Sequence, residues 1–419
     1  MIVHQPIKSI TRGRVRISAF IEIEGRPELS DTLWFEFPAD MSESVSGQSN
    51  AFAAALLPAA MALGRPLAVR GGVSPKLLAG LGKVQDLFHG WLPAAFSKID
   101  IHCERLEVES ADTAGAAPAA AFSGGIDSFF TLITHLPRRA ADPGQRLKYI
   151  LFVHGFDIPS ADRRTYGLAR ESYEKMAAGL GVRLIAAASN FRDLRLTRSV
   201  PWDMACGPAL IGAALSLAPV FSRFFVPSTH RHAEHLVQGC HPLVDPNFST
   251  ETLEVVHDGI DFSRSQKTKV IAEFQPSYDN LRVCWVKPDG VRNCGRCQKC
   301  LRTMIALDLL GALPRYTTFS RPLPKKLDNW VLTCENDVIF AEDVRELAVE
   351  RGAVGLAADI ERAVRRSRST IALAEKISGA LGWRGHWLEK AVCYGLFLFH
   401  GPAVWSELYM RFRPRRPGG

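Results

Sequence analysis

The sequence reads Ala119-Ala120-Ala121-Phe122 and then Ser123-Gly124-Gly125-Ile126-Asp127-Ser128, an apolar strand that enters a glycine turn before a helix predicted over 128–136. Glycines let the backbone turn tightly and approach phosphate oxygens closely. The new helix directs its free N–H groups and the positive end of its dipole at the same place. The glycine turn (residues 123–128) therefore predicts an anion site. Ser123 and Ser128 add hydroxyl donors there, and Asp127 holds Mg²⁺ against phosphate oxygens.

The alternative interpretation of the glycine turn is structural, with Ser128 as the cap of the helix. Other phosphate-binding patterns are absent, because no Lys-Ser/Thr pair follows the last glycine and no three-glycine dinucleotide fingerprint occurs. A bare Gly-Gly would suit the structural interpretation. The whole hexapeptide between a strand and a helix favours the anion site.

Beyond the glycine turn, strand and helix patterns alternate along the chain. Continuous apolar runs at 149–153, 182–188 and 223–226 are separated by predicted helices over 162–180 and 203–219. Such alternation indicates a parallel sheet that is covered by helices on both faces. We therefore predict an α/β protein whose ligands bind beyond the carboxyl ends of the strands.

The chain is long enough for two or three domains. Residues 1–112 contain alternating strand patterns at 14–23 and 33–37 together with helical segments, which indicates a small N-terminal α+β domain. The domain with the glycine turn is predicted over 113–310, and a helical C-terminal region over 311–419.

The composition is that of an ordinary globular protein, with 47% hydrophobic residues, 22% charged residues and a mean hydropathy of +0.01. It excludes wholesale disorder and fibrous structure. The first residues show no charged segment followed by an apolar run, so we expect no signal peptide. The uncharged residues 204–222 approach the length of a membrane span, but their glycines and prolines favour a buried helix. We expect a cytoplasmic protein without a membrane partner.

The formal net charge is +8, and the excess is concentrated at the end of the chain, at Arg411, Arg413, Arg415 and Arg416. A basic chain suits anionic ligands such as nucleotides or RNA. A solvated basic tail explains the same arginines and is the favoured interpretation. RNA is therefore kept as a partner that is not favoured.

Four of the nine cysteines are closely spaced, at Cys284, Cys294, Cys297 and Cys300. Two-residue gaps let successive thiolates turn onto one ion, and four thiolates satisfy tetrahedral Zn²⁺. Four protein ligands predict a closed, structural zinc site rather than a disulfide framework. A redox pair or an iron–sulfur cluster is the competing interpretation of the same residues.

The glycine turn resembles the signature of the PP-loop ATP pyrophosphatases, of the adenine nucleotide alpha hydrolase group, and the resemblance covers residues 119–305. It implies a Rossmann-like sheet in which Val153 contacts the adenine of ATP. The residues implied to grip the pyrophosphate are Ser123, Gly124, Gly125, Ile126, Asp127 and Ser128. The implied reaction is attack of a substrate carboxylate or carbonyl on the α-phosphate. Pyrophosphate leaves, and ammonia, an amine or a sulfur species then displaces AMP.

The cysteine array is similar to that of the 7-cyano-7-deazaguanine synthases, in which the knuckle is followed by an arginine, here Arg302. That resemblance implies activation of a carboxylate by ATP and its conversion, through an amide, to a nitrile with ammonia. Lys267 precedes an apolar helix, where those synthases also place a lysine. We therefore expect Lys267 to contact phosphate and to act with Ser123 and Asp127 in catalysis. A solvated surface lysine is the alternative.

The chain departs from these synthases where they recognise the deazapurine. The histidines of this divergent stretch are His230, His232, His235, His241 and His257. We predict that the stretch forms the substrate wall. Surface or hydrogen-bonded histidines are the default, and contacts to phosphate or carboxylate, or a second metal site, are the alternatives. Asp245 is a candidate ligand of magnesium or of a substrate amine, or else a helix cap.

The leading hypothesis is an ATP-dependent, carbon–nitrogen bond-forming ligase in a modification or phage-defence pathway. Its substrate is a small molecule or a protein terminus that carries a carboxylate, and its nucleophile is ammonia or an amine. One alternative is a PP-loop sulfur transferase acting on tRNA, with Cys206 and Cys240 as the reactive pair. Otherwise Cys206 is expected to be a buried, small hydrophobic residue. The other alternative is a non-catalytic nucleotide-binding assembly module. The sequence leaves open whether the protein forms a homodimer.

Overall fold

The computed structural model describes residues 1–109, 115–234, 236–284, 290–324, 327, 330 and 332–380, without the side chains of 374, 375 and 377–380. The chain divides into two compact units, Met1–Asp261 and Phe262–Gly419. The sequence instead predicts three domains that meet near residues 112 and 310. The strands of the N-terminal region and those that follow the predicted boundary at 112 lie in one sheet, which explains why both belong to the first unit.

The described strands are β1 (Ile2–Val3), β2 (Ile7–Thr11), β3 (Arg14–Glu22), β4 (Asp31–Pro38), β5 (Leu67–Val73), β6 (Ile101–Leu106), β7 (Ala117–Ala121), β8 (Tyr149–His154), β9 (Arg183–Ser189), β10 (Phe221–Pro227) and β11 (Glu254–Asp258). The described helices of the first unit are α1 (Asn50–Leu63), α2 (Pro75–Trp91), α3 (Ile126–Thr134), α4 (Arg163–Gly179) and α5 (Trp202–Leu215). Those of the second unit are α6 (Arg264–Ala272), α7 (Gln298–Leu309), α8 (Glu335–Glu350) and α9 (Val354–Ala380).

The first unit is built on one mixed, mostly parallel sheet with helices on both sides, as expected for an α/β protein. The described strands lie in the order β11-β10-β7-β8-β9-β4-β3-β1-β5-β6, and β2 pairs with β3. From β11 to β9 every pairing is parallel. Numbered along the chain from β7, these five strands have the order 3-2-1-4-5 of a doubly wound sheet. The order reverses between β7 and β10, so the crevice for a ligand is expected at their carboxyl ends.

The N-terminal strands join this sheet through an antiparallel pairing of β4 with β9, in which Phe35 lies opposite Ser189. The side chain of Asn190 extends the junction, because its Oδ1 accepts from the amide of Trp34 at 3.0 Å and its Nδ2 donates to the carbonyl of Thr32 at 2.8 Å. The residues in contact are separated by about 150 positions, so no local sequence pattern predicts the contact.

Several local predictions are confirmed in the first unit. Helix α1 begins and ends where its Ala/Leu-rich pattern does, and the hydroxyl of Ser74 caps α2 by accepting from the amide of Leu77 at 3.0 Å. The uncharged stretch forms the buried helix α5, which ends at Leu215 before β10 begins. A Cβ atom at Gly212 of α5 would lie 2.7 Å from the carbonyl oxygen of Ala51, so α1 and α5 pack closely. Among the described residues, no helix is long and apolar enough to cross a membrane.

In the second unit, α8 and α9 form a helical pair around an apolar core that includes Val338, Val344 and Ile360. The sequence predicts helices over 342–352 and 357–381. They overlap α8 and α9, respectively, which begin earlier, at Glu335 and Val354. The helix predicted over 387–399 and the terminal arginines lie outside the described residues.

Candidate functional site

The glycine turn connects β7 to α3, as the sequence predicts, and Gly125 is the N-cap of the helix. The hydroxyl of Ser128 donates to the carbonyl of Gly125 at 3.0 Å, and the amide of Gly125 donates to Oγ of Ser123 at 3.4 Å. Ser128 thus lies inside the first turn of the helix and is not its cap. The first amides of a helix have no acceptor within it. The turn therefore presents N–H donors, a hydroxyl pair and the positive helix end at the switch point of the sheet.

Gly124 has a φ of +78°, a backbone conformation that L side chains rarely adopt. A Cβ atom at this position would also lie 1.9 Å from the hydroxyl oxygen of Tyr173, which is fully buried on α4. That hydroxyl donates to the carbonyl of Ser123 at 3.4 Å. Helix α4 therefore supports the turn from inside the protein, and Asp127 lies half-buried in the first turn of α3.

Val153 is buried at the carboxyl end of β8, the strand beside β7. The next residue, His154, stacks on Tyr166 with ring centroids 4.2 Å apart, and its Nε2 lies 2.9 Å from the carbonyl of Pro159. Burial lowers the pKa of His154. Val153 and the stacked rings of His154 and Tyr166 thus lie at the strand end near which the resemblance implies the adenine.

The histidine cavity, of about 250 Å³, lies at the carboxyl ends of β10 and β11. Phe225 of β10 pairs with Ala120 of β7, so the chain leaves both strands at the same edge of the sheet. Residues within 229–243, with His257 and Ile260, line the cavity. Its histidines are His230, His232, His241 and His257. The structure thus brings four histidines of the predicted substrate wall together, whereas His235 lies outside the described residues.

A buried carboxylate–histidine pair belongs to this cavity. Nδ1 of His257 lies 2.7 Å from Oδ2 of Asp245, and the two side chains are 5% and 0% exposed. Burial raises the pKa of Asp245, and its hydrogen bond with His257 only partly opposes this. When Nδ1 of a neutral His257 donates to Asp245, the other ring nitrogen is left as a proton acceptor. The sequence singled out both residues, but not their pairing.

The other polar groups of the cavity are paired mainly with one another. Nδ1 of His230 lies 3.0 Å from Oε2 of Glu234, and Arg231 forms an ion pair with the same carboxylate, with Nε 3.0 Å from Oε1. The side-chain amide nitrogen of Gln238 lies 3.3 Å from Nε2 of His230. In the part of the chain that the structure describes, the group of side chains close enough to hold a metal ion is that of the four clustered cysteines, and it includes no histidine.

Cys206 and Cys240 lie side by side, with their Sγ atoms 3.7 Å apart. Cys206 is in α5, and Cys240 lines the histidine cavity. Both are half-buried, so the expectation of Cys206 as a fully buried apolar residue is wrong. The hydrogen bond with Cys206 and burial raise the pKa of Cys240 well above its usual value.

The cysteine cluster of the second unit has the geometry of a metal site. The Sγ atoms of Cys284 and Cys297 are 3.9 Å apart, those of Cys294 and Cys300 are 3.8 Å apart, and all four lie within 4.8 Å of one another. A tetrahedron of sulfurs at about 2.3 Å from zinc has edges of about 3.8 Å. These residues can therefore hold a metal ion such as zinc.

The backbone around the cluster is arranged for thiolates. The amides of Arg296 and Cys297 donate to Sγ of Cys294 at 3.4 and 3.3 Å. Oδ1 of Asn293 accepts from the amide of Cys284 at 3.0 Å and so holds the distant fourth cysteine in place. Hydrogen bonds from the other three thiols hold the pKa of Cys294 far below its usual value. Asn293 was not predicted from the sequence, because a single asparagine beside a cysteine motif has no distinctive pattern.

Lys267 lies on α6 in the second unit and is 1% exposed, so it is not a solvated surface lysine. Ser263 and Gln266 form a capping box at the start of this helix. The predicted contact of Lys267 with phosphate stays a prediction.

Comparison of the chain with protein-family models, curated proteins and solved structures gives no significant match. The functional interpretation therefore depends on the residues and the geometry of the chain itself.

Proposed function

We propose that this protein is an ATP-dependent adenylating enzyme that activates a carboxylate or carbonyl and forms a carbon–nitrogen bond. The observation that carries the proposal is the position of the glycine turn. It follows β7 at the point where the strand order reverses, in a Rossmann-like sheet, with its glycine backbone packed against Tyr173. A turn of this chemistry at this place suits the triphosphate of a nucleotide.

In this proposal the first turn of α3 binds the pyrophosphate portion of ATP. The hydroxyls of Ser123 and Ser128 add donors, Asp127 is the ligand for Mg²⁺, and Val153 contacts the adenine. Mg²⁺ neutralises phosphate charge when bound. A substrate carboxylate attacks the α-phosphate, pyrophosphate leaves, and the acyl adenylate is the activated product of this first step.

The histidine cavity is proposed as the acceptor site for the second step. An amine attacks the acyl carbon of the adenylate, AMP leaves with the electron pair of the broken bond, and the nitrogen must lose a proton. In this proposal His257 accepts that proton, and the contact of its Nδ1 with Asp245 supports this role by orienting the imidazole. Arg231 and His230, which both contact Glu234, shape the polar wall of this cavity.

The proposed activity is tested with the full chain, ATP, Mg²⁺, ammonia and a panel of small carboxylates and peptides. Release of AMP and pyrophosphate that depends on one carboxylate is the expected result. Release of ADP would contradict attack at the α-phosphate. Tight ATP binding without turnover across the panel would favour the assembly module, and absence of ATP binding would contradict every nucleotide-based proposal.

Sulfur transfer to tRNA is the second candidate, and the contact between Cys206 and Cys240 favours it. Such an enzyme adenylates the RNA base and then uses a reactive cysteine pair. Loss of activity in Cys240→Ser with the fold intact would favour sulfur transfer. For the carbon–nitrogen ligase, the same variant should still release AMP and pyrophosphate with its carboxylate.

A further inference from the structure

The contact between Cys206 and Cys240 is produced by close backbone packing. A Cβ atom at Gly207 would lie 2.3 Å from the carbonyl oxygen of Gly239, and one at Gly239 would lie 2.0 Å from the carbonyl oxygen of Met204. Each glycine directly neighbours one of the two cysteines. Only glycine allows the start of α5 and the cavity wall to approach this closely.

A hydrogen bond fixes the same pair of segments. The amide of Gly239 donates to the carbonyl of Asp203, in the first turn of α5, at 2.8 Å. The two thiols are therefore brought together by their backbones, and the sulfur atoms are already in van der Waals contact. The sulfurs of a disulfide are about 2.05 Å apart. The two side chains must therefore rotate towards each other before the bond can form.

The two thiols are not equivalent. The pKa of Cys240 is raised because it shares a hydrogen bond with Cys206 and because it is buried. Cys240 therefore keeps its proton to a higher pH than an ordinary cysteine, and the thiolate is the reactive form of cysteine. Cys206 is only half-buried on α5, so part of this residue is accessible to a small oxidant.

We propose that Cys206 and Cys240 are a redox-active dithiol that a peroxide converts to a disulfide, and that this bridge fastens the wall of the histidine cavity to α5. The thiolate of Cys206 attacks one oxygen of the peroxide, the O–O bond breaks, and Cys206 becomes a sulfenic acid. The hydroxide that leaves takes up the proton that the Cys206 thiol has lost, which gives the first water. The sulfur of Cys240 then attacks the sulfenic sulfur, and hydroxide leaves and takes up the proton of the Cys240 thiol. Two thiols and one hydrogen peroxide thus give one disulfide and two waters.

The bridge has a consequence for the cavity, because Cys240 is one of its lining residues. In the reduced protein, backbone packing and one hydrogen bond hold residues 236–243 to α5. In the oxidised protein the disulfide is a further link between these two segments, so local opening of the cavity wall becomes rarer. The inference extends beyond the proposed ligase, since the oxidation needs neither ATP nor a carboxylate, and it also needs no sulfur donor or tRNA.

The test uses the full, zinc-loaded chain, treated with hydrogen peroxide and then with N-ethylmaleimide before peptide mapping by mass spectrometry. The expected product is a linked pair of peptides that contain Cys206 and Cys240, lacking two hydrogen atoms and separated again by dithiothreitol. Free thiols at both positions, or sulfinic acids without a bridge, would overturn the proposal.

Single variants control the chemistry. Cys103→Ser removes the third cysteine of the first unit and should leave the bridge unchanged. Cys240→Ser should leave a sulfenic acid on Cys206 that dimedone traps.

Hydrogen exchange at 236–243 should slow in the oxidised protein, and exchange that is equal in both redox states would overturn the proposed effect on the cavity. Failure of the ligase assay leaves these outcomes unaffected.

Discussion

Nδ1 of His257 lies 2.7 Å from Oδ2 of Asp245, and both side chains are almost completely excluded from solvent. His257 lies on β11, and Asp245 begins the short helical turn that precedes this strand. The second oxygen of Asp245 accepts from the amide of His241 at 3.2 Å, so the carboxylate links two residues of the cavity wall. This arrangement orients one imidazole of the cavity.

The pair predicts a pH dependence of stability. The pKa of Asp245 is raised in the folded protein above the ordinary value of 3.8, mainly by burial. Its contribution to the free energy of unfolding is therefore fully present below about 3.8 and is lost as the pH rises through the raised value. Urea unfolding of the wild type and Asp245→Asn, compared from acidic to neutral pH, should show the wild type losing stability relative to the variant. The opposite slope would contradict this burial effect.

Replacing Asp127 by Asn should abolish release of pyrophosphate with little change in unfolding, because it removes a proposed magnesium ligand from the half-buried first turn of α3. The matched control is Asp203→Asn, which changes an exposed acid in the first turn of α5. It should retain turnover. Equal pyrophosphate release by both variants would remove Asp127 from the mechanism.

Gly124→Ala should destabilise the protein more than Gly181→Ala. Both glycines have positive φ values, +78° and +73°, so each substitution has a strain cost of about 1–2 kcal/mol. Only at Gly124 does the new Cβ meet another group, the hydroxyl of Tyr173, whereas nothing lies within 4 Å at Gly181. Urea unfolding measures the difference, and ATP titration should show weaker binding by Gly124→Ala alone. Equal losses of stability would mean that the loop shifts away from Tyr173 without cost.

Cys297→Ser should lose bound zinc and lower the solubility and thermal stability of the chain. The metal contributes on the order of 10 kcal/mol to folding at such sites, and one thiolate of four is removed. Cys334→Ser alters a cysteine of the second unit outside the cluster and should keep its zinc. Metal analysis and thermal unfolding of both variants, with and without a chelator, provide the measurement. A full complement of zinc in Cys297→Ser would refute the four-ligand assignment.

Local patterns predicted the elements of the structure better than their assembly. Helix α1, the cap of α2 and the strand–turn–helix at the glycine turn follow from residues that are close in sequence. The pairing of β4 with β9 does not, because it joins Phe35 to Ser189, which are far apart along the chain. The candidate functional residues also differ in how far they could be predicted. The spacing of Cys294, Cys297 and Cys300 is visible in a short stretch of sequence, whereas the hydrogen bond between Asp245 and His257 is not.

By itself, the sequence determined the glycine turn, the alternation of strands and helices, and the four-cysteine group, because backbone conformation, hydrophobic period and thiolate spacing are properties of short segments. The tertiary structure alone decided that the N-terminal strands extend the same sheet, that Cys206 contacts Cys240 and that Asp245 orients His257. These contacts depend on how separate segments pack, and packing is set by the summed burial of the whole unit rather than by any one stretch of residues.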